Sequence, residues 1–168
     1  MKQIIIQQAT PAHVATVHAI TQEAFTQYAA DLNLPQAVAA LSETEADVLR
    51  DIQKKTVLIA YLGDTPAGVV RLQFYNGFTY ITRFGVRLMA QGCGIGHALI
   101  RAAQTASHEM GMKALLLHTS TGIGDLMHFY YGQGFLIHST TSDRGYIRAL
   151  MVKELCKDSA ANYDCLLG

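Results

Sequence analysis

Thr79–Met110, TYITRFGVRLMAQGCGIGHALIRAAQTASHEM, reads as a strand, a glycine-rich turn and a helix. Thr79 to Val86 is rich in β-branched and aromatic residues, the composition of a strand. The turn is Gln91-Gly92-Cys93-Gly94-Ile95-Gly96. Beyond it, Ile95, Ala98, Leu99, Ala102, Ala103, Ala106 and Met110 recur at three- and four-residue spacings and predict one apolar helix face. Gly111 supplies the stop.

Three glycines on alternate positions exceed what a plain strand-to-helix turn needs. Glycine lets the backbone turn tightly and approach a ligand. A helix that starts at once aims free N–H groups and a partial positive charge at the same place. The combination predicts an anion cradle suited to phosphate. Two common nucleotide loops do not fit. The dinucleotide fingerprint needs G-x-G-x-x-G and an acid about 20 residues on, at the end of the next strand. Here the spacing is G-x-G-x-G and the next strand ends in His118-Thr119. The ATP loop needs a lysine after its last glycine, where this chain has His97.

The pattern Q-x-x-G-x-G, placed between a strand ending Phe84-Gly85-Val86 and an amphipathic helix, resembles the acyl-coenzyme A loop of the GNAT-superfamily N-acetyltransferases. Downstream, Phe129-Tyr130-Tyr131-Gly132-Gln133-Gly134-Phe135 resembles that superfamily's F-Y-x-x-x-G-F segment. Both lie in the family's order, and element order carries the resemblance over residues 3–154. It implies an α/β fold with a mixed, mostly antiparallel central sheet and helices on both faces. It also implies an acetyltransferase domain over residues 1–156; residues 157–168 show no periodicity and read as a loose tail. The implied reaction moves an acetyl group from acetyl-coenzyme A to a primary amine, directly within a ternary complex. The alternative is a module that holds acyl-coenzyme A as a sensor or scaffold without turnover.

Composition removes other classes. The formal net charge of the 168 residues is zero and no long Lys/Arg run appears, which argues against nucleic-acid binding. No apolar run reaches the length of a membrane span, and Ile4-Ile5-Ile6 is too short for a signal-peptide core. Three cysteines, an odd and sparse set, suit a reducing cytoplasm. Charged residues are 15% of the chain, against about 25% in ordinary soluble domains. That deficit suggests an extra apolar surface of the kind a homodimer buries.

Along the chain, Gln3 to Ala9 reads as a strand and Thr10-Pro11 as a helix start. The first helix has Val14, Val17, Ile20, Ala24 and Phe25 on one side, and Tyr28 to Leu34 reads as irregular. Ser42-Glu43-Thr44-Glu45 reads as a capping box opening a second helix. Thr56 to Leu62 and Ala67 to Tyr75 are strands, and Asn76-Gly77 is a hairpin signal leading into the central strand. Ala114 to Leu117 is a strand buried on both faces. Asp125 to Gly132 is a short helix, and Phe135–Thr140 with Tyr146–Val152 forms a final hairpin.

The resemblance assigns the cofactor site residue by residue. Gln91, Gly92, Cys93, Gly94, Ile95 and Gly96 hold the pyrophosphate through main-chain N–H groups, and His97 extends the cradle. Phe84, Gly85 and Val86 pair with the pantetheine arm like an added strand. Cys93 is either a thiol activated by the helix N-terminus or a residue used only for its backbone. Cys93 and His97, four apart, do not make a metal site, and no metal is expected.

Tyr130 matches the family's tyrosine beside the sulfur and is expected to act as the general acid, with Tyr131 as its rival. A thiol pKa near 8.5 against about 10 for tyrosine makes full proton transfer uphill by roughly 2 kcal/mol. Tyr130 is therefore read as a hydrogen-bond donor. An alkyl amine with pKa near 10.4 is only about 0.04% neutral at pH 7, so a base is wanted. Strand alternation puts Tyr80, Thr82 and Phe84 on one side and Ile81, Arg83 and Gly85 on the other, with no carboxylate on either. His118 is the remaining candidate, as a base or as a hydrogen-bonded structural histidine. The acceptor, a small molecule or a peptide amine, enters between the first two helices and the final hairpin. Asp31 points to a cationic acceptor, while Arg144 on the hairpin equally suits a carboxylate.

Overall fold

The computed structural model describes residues 2–156, and the expected tail at 157–168 lies outside them. Strand β1 (Ile4–Gln8) leads through a 3-10 turn, Pro11–His13, into helix α1 (Val14–Leu32). Two further 3-10 turns, Pro35–Ala37 and Ala39–Ser42, precede helix α2 (Glu45–Lys54). Strands β2 (Thr56–Leu62), β3 (Thr65–Phe74) and β4 (Phe78–Val86) form a meander. Helix α3 (Ile95–Glu109), strand β5 (Ala114–Ser120), helix α4 (Gly124–Gly132) and the hairpin β6 (Leu136–Thr141) and β7 (Arg148–Glu154) complete the fold. The seven strands are ordered β1-β2-β3-β4-β5-β7-β6, and only β4 and β5 run parallel.

Strand alternation divides the core into two layers. Leu58, Ala60, Val70, Leu72, Ile81, Leu115 and Leu117 face α3 and α4 and meet Ile95, Leu99, Ile100, Ala103, Met127 and Tyr130. Val57, Ile59 and Val69 face the other way and meet Val17, Ile20 and Val48 of α1 and α2. A buried hydroxyl pair, Thr79 with Ser107 at 2.6 Å, ties β4 to α3. The buried side of α3 includes Ile100 and Ser107, whereas Met110 is exposed. The apolar spacing had placed Met110 on the buried face, but it falls at the C-cap, past the last packed turn.

Two sequence readings change in the structure. Tyr28 to Leu32 is helical, because the terminator is Asn33, held left-handed at φ 55°. The second helix starts two residues later than the four-residue box suggested. Thr44 is its N-cap, with Asp47 completing the reciprocal pair: Thr44 N–H donates to Asp47 Oδ2 at 2.9 Å and Asp47 N–H to Thr44 Oγ1 at 3.3 Å. The Thr44 backbone and hydroxyl bonds, with Arg50, pull the Asp47 carboxyl down to about 2.

Glu43 is thereby released from the helix start and turns inward. Its carboxylate takes both terminal nitrogens of Arg71, at 2.6 and 2.7 Å. Arg71 is fully buried on β3 and also reaches Asp51 of α2 at 2.7 Å. Burial alone would lower the guanidinium pKa, yet the bonds to Glu43 and Asp51 outweigh it and hold it raised.

Candidate functional site

Strands β4 and β5 pair over three residues only, Phe78–Tyr80 against Ala114–Leu116. Past Tyr80 they diverge, so the β5-facing edge of Ile81–Val86 lacks a strand partner, while its other edge stays paired with β3. A cleft of about 1300 Å³ fills the opening. Its lining includes Phe84, Gly85, Val86, Gln91, Gly92, Gly94, Ile95, Gly96, His97, His118 and Tyr130. The cleft thus unites the sequence-selected site residues except Cys93.

The shape of β4 explains how its side chains are aimed. Two residues, Arg83 and Phe84, stand opposite Val70 of β3, because the register changes between Val69–Gly85 and Arg71–Thr82. Arg83 takes the left-handed conformation, φ 50°. This bulge reverses the alternation. Phe84 and Val86 face the α3 layer, while Gly85 lies under α1, where a Cβ would come within 2.7 Å of the Ala24 Cβ. The expected grouping of Phe84 with Tyr80 and Thr82 is therefore corrected. The irregular residue is Arg83, and Gly85 is needed for the close approach of a helix.

The glycine turn has the required backbone. Gly92 and Gly94 have φ of 75° and 84°, in the region that favours glycine. Gly94 is the N-cap of α3, so the N–H groups of Ile95, Gly96 and His97 belong to the unpaired first turn of a helix. The Gln91 and Cys93 amides are engaged, donating to Leu88 and Ala90 carbonyls at 3.2 Å each. The Cys93 side chain is exposed. The His97 ring is held by Gln133 at 2.7 Å and by an edge contact with Phe129. That contact locks the start of α3 to α4.

Tyr130 and Tyr131 separate clearly. Tyr130 is 4% exposed and packs among Phe84, Phe129 and Phe135, with ring centroids 5.4–5.9 Å away. Tyr131 is 46% exposed and lies outside the cleft lining. Burial, with the nearby Tyr28, pushes the Tyr130 hydroxyl above its ordinary range. His118 contacts the Tyr80 hydroxyl through Nδ1 at 2.5 Å. Burial, followed by Arg148, lowers its pKa to about 4, with Asp143 opposing and Arg144 adding to the effect. The ring is therefore neutral at pH 7.

The sequence reading missed Tyr28. Tyr28 stands in the segment expected to be irregular. Its hydroxyl accepts the Ser120 N–H at 3.0 Å and contacts Tyr146. The fork between β4 and β5 is thus bridged by α1. Asp31, offered by the sequence for the acceptor, lines the cleft and accepts Gln27 Nε2 at 2.7 Å. Among the described residues no group of three or more metal-ligating side chains occurs, and no helix is long and apolar enough to cross a membrane.

The comparisons agree with this arrangement. A family model, the acetyltransferase (GNAT) family, matches residues 25–135, which contain the bulged strand, the glycine turn and Tyr130. No curated protein sequence matches the chain. Among solved structures, the chain is similar to the PaiA N-acetyltransferase of Thermoplasma acidophilum in complex with coenzyme A. The TM-score is 0.81 and the identity 17%, covering 90% of this chain and 99% of that one. It is also similar to a GCN5-related N-acetyltransferase structure from Rhodopseudomonas palustris, with TM-score 0.76, 22% identity and coverage of 92% and 98%. The ribosomal-protein-S18-alanine N-acetyltransferase of Escherichia coli matches at TM-score 0.69 and 13% identity, over 96% and 99%. These likenesses describe the fold, while the matched family model covers well over half of the chain: the protein belongs to the acetyltransferase (GNAT) family and is an acyltransferase.

Proposed function

We propose that the protein is an N-acetyltransferase that moves an acetyl group from acetyl-coenzyme A directly to a primary amine within a ternary complex. The observation that carries this reading is the unpaired β4 edge, which runs from the glycine turn to Tyr130 in one cleft. When bound, acetyl-coenzyme A supplies a thioester whose carbonyl carbon an amine can attack. The unpaired N–H groups of Ile95, Gly96 and His97, with the turn at Gly92 and Gly94, suit a pyrophosphate. The free edge of Phe84–Val86 suits an extended amide arm by strand addition.

Tyr130 donates a hydrogen bond to the departing sulfur. Its raised pKa makes complete loss of the proton harder than for an ordinary tyrosine, so it acts as a positioned donor. His118, neutral and facing the cleft, accepts the proton of the amine at one ring nitrogen while the other holds Tyr80. A base with pKa near 4 takes such a proton only transiently, and relays it to solvent through the open cleft.

The test has two parts. Melting with coenzyme A, NAD and ATP should show stabilisation by coenzyme A alone. Thiol release from acetyl-coenzyme A should then appear with some member of a mixed amine panel. Stabilisation by coenzyme A with no release on any amine would replace this reading with a binding module.

A further inference from the structure

The acceptor end of the cleft is lined by three arginines: Arg83 from the β4 bulge, Arg144 from the β6–β7 turn and Arg148 from the start of β7. All three act electrostatically on the Tyr80 hydroxyl, and Arg144 and Arg148 also act on His118. They come from two distant parts of the chain, and none belongs to the glycine turn. Their charges are incompletely met. Arg148 donates to Asp143 at 3.1 and 3.2 Å through one terminal nitrogen, and Arg83 Nε stands 3.4 Å from Glu43, whose carboxylate is already held by Arg71. The Nε atoms of Arg83 and Arg148 are buried without a hydrogen-bond partner among the described residues. Arg144, alone of the three, has no ion pair among the described residues, and its side chain is exposed.

We propose that the acceptor is an amine that also bears a carboxylate, and that Arg83, Arg144 and Arg148 recognise that group; this rests on the N-acetyltransferase reading of the same cleft. Guanidinium groups match planar two-oxygen anions and lose little freedom in binding them. The acidic residues of the lining are Asp31, which is engaged by Gln27, and Asp125 at the start of α4. Glu43 and Asp143, outside the lining, partly meet Arg83 and Arg148, which leaves Arg144 as the lining arginine with no ion pair among the described residues. Tyr28, Tyr80 and Tyr146 also line the cleft, so hydroxyls stand beside the guanidinium donors there. Asp31, on α1, lines the same cleft and suits the amine end of the same molecule.

The experiment compares amines that differ by one group: tyrosine with tyramine, ornithine with putrescine, and phosphoethanolamine with ethanolamine. Thiol release should give kcat/KM at least tenfold higher for the carboxylate member of the first two pairs. Arg144→Glu should bring that ratio to one or below, and Arg144→Lys should retain most of it. Arg144 lies in an exposed turn, so both variants should fold. A wild-type ratio of one or less in both pairs overturns the proposal, as does a ratio that survives Arg144→Glu. A larger advantage for phosphoethanolamine over ethanolamine replaces carboxylate with phosphate and also overturns it. Release with all amines and no preference leaves the acetyltransferase reading standing and removes this one. If no amine gives release, the same probes are followed by melting of the coenzyme A-loaded protein. A shift with tyrosine or ornithine, absent with tyramine and putrescine and lost in Arg144→Glu, then supports recognition without turnover; no shift overturns it.

Discussion

Tyr130→Phe removes one hydroxyl and keeps the ring among Phe84, Phe129 and Phe135. Its expected cost is ~10²–10⁴ in kcat, with KM for acetyl-coenzyme A nearly unchanged. Tyr131→Phe should change little, because its side chain points to solvent. Steady-state kinetics of the two variants side by side decide the matter; if neither slows turnover tenfold, neither hydroxyl is the donor. Arg71 offers a stability prediction of a different kind. Arg71→Ala strands Glu43 and Asp51 in a low-dielectric site and should cost ~3–5 kcal/mol by urea unfolding. Double replacement with Glu43→Gln should recover part of that loss. Tyr130 was legible in the sequence because it sits in a motif with fixed spacing. Arg71 was not, since Glu43 and Asp51 lie 28 and 20 positions away and nothing local signals a buried guanidinium.

At the level of elements, the β4 bulge decides which side chains meet the cleft. An alternation rule carried through Arg83 puts Phe84 on the wrong side of the sheet, and no sequence signal at Arg83 announces a left-handed residue. The elements themselves, their order and the glycine turn were readable, because periodicity and punctuation are local properties. The α1 extension through Tyr28 was hidden by the absence of a glycine stop, its place being taken by Asn33. Gly85→Ala tests how closely α1 sits on β4. The added methyl meets Ala24 Cβ at 2.7 Å, against a backbone-anchored atom that cannot swing away. A loss of ~1–3 kcal/mol is expected in urea unfolding, the usual cost of overpacking. A loss below a few tenths would show that α1 yields easily. Thr44→Ala, which removes the α2 cap, should cost about 1 kcal/mol in the same measurement.

For the molecule as a whole, acid weakens the fold in two stages. His118 has a folded pKa of about 4, below the ordinary 6.5, so the unfolded chain binds its proton first. Its contribution is complete above pH 6.5 and is lost as pH falls from there toward 4. Asp51 is held below its ordinary value by Arg71 and Lys55 despite the opposing effect of burial, and its contribution goes at lower pH still. Melting temperature should therefore begin to fall below pH 6.5, and His118→Gln should flatten the first stage. An unchanged slope in that variant assigns the stage to other groups. The three-residue seam between β4 and β5 has a mechanical meaning as well. It is a spine joining two leaves, β1–β4 and β5–β7, held besides by the Tyr28–Ser120 clasp and by α3 and α4. A molecule lying along the fork touches both leaves at once and splints the joint. Amide hydrogen exchange at Phe78–Tyr80 and Ala114–Leu116 should then slow on coenzyme A binding by more than exchange within β2 and β3. Equal slowing everywhere would describe a rigid plate that never breathes along this line.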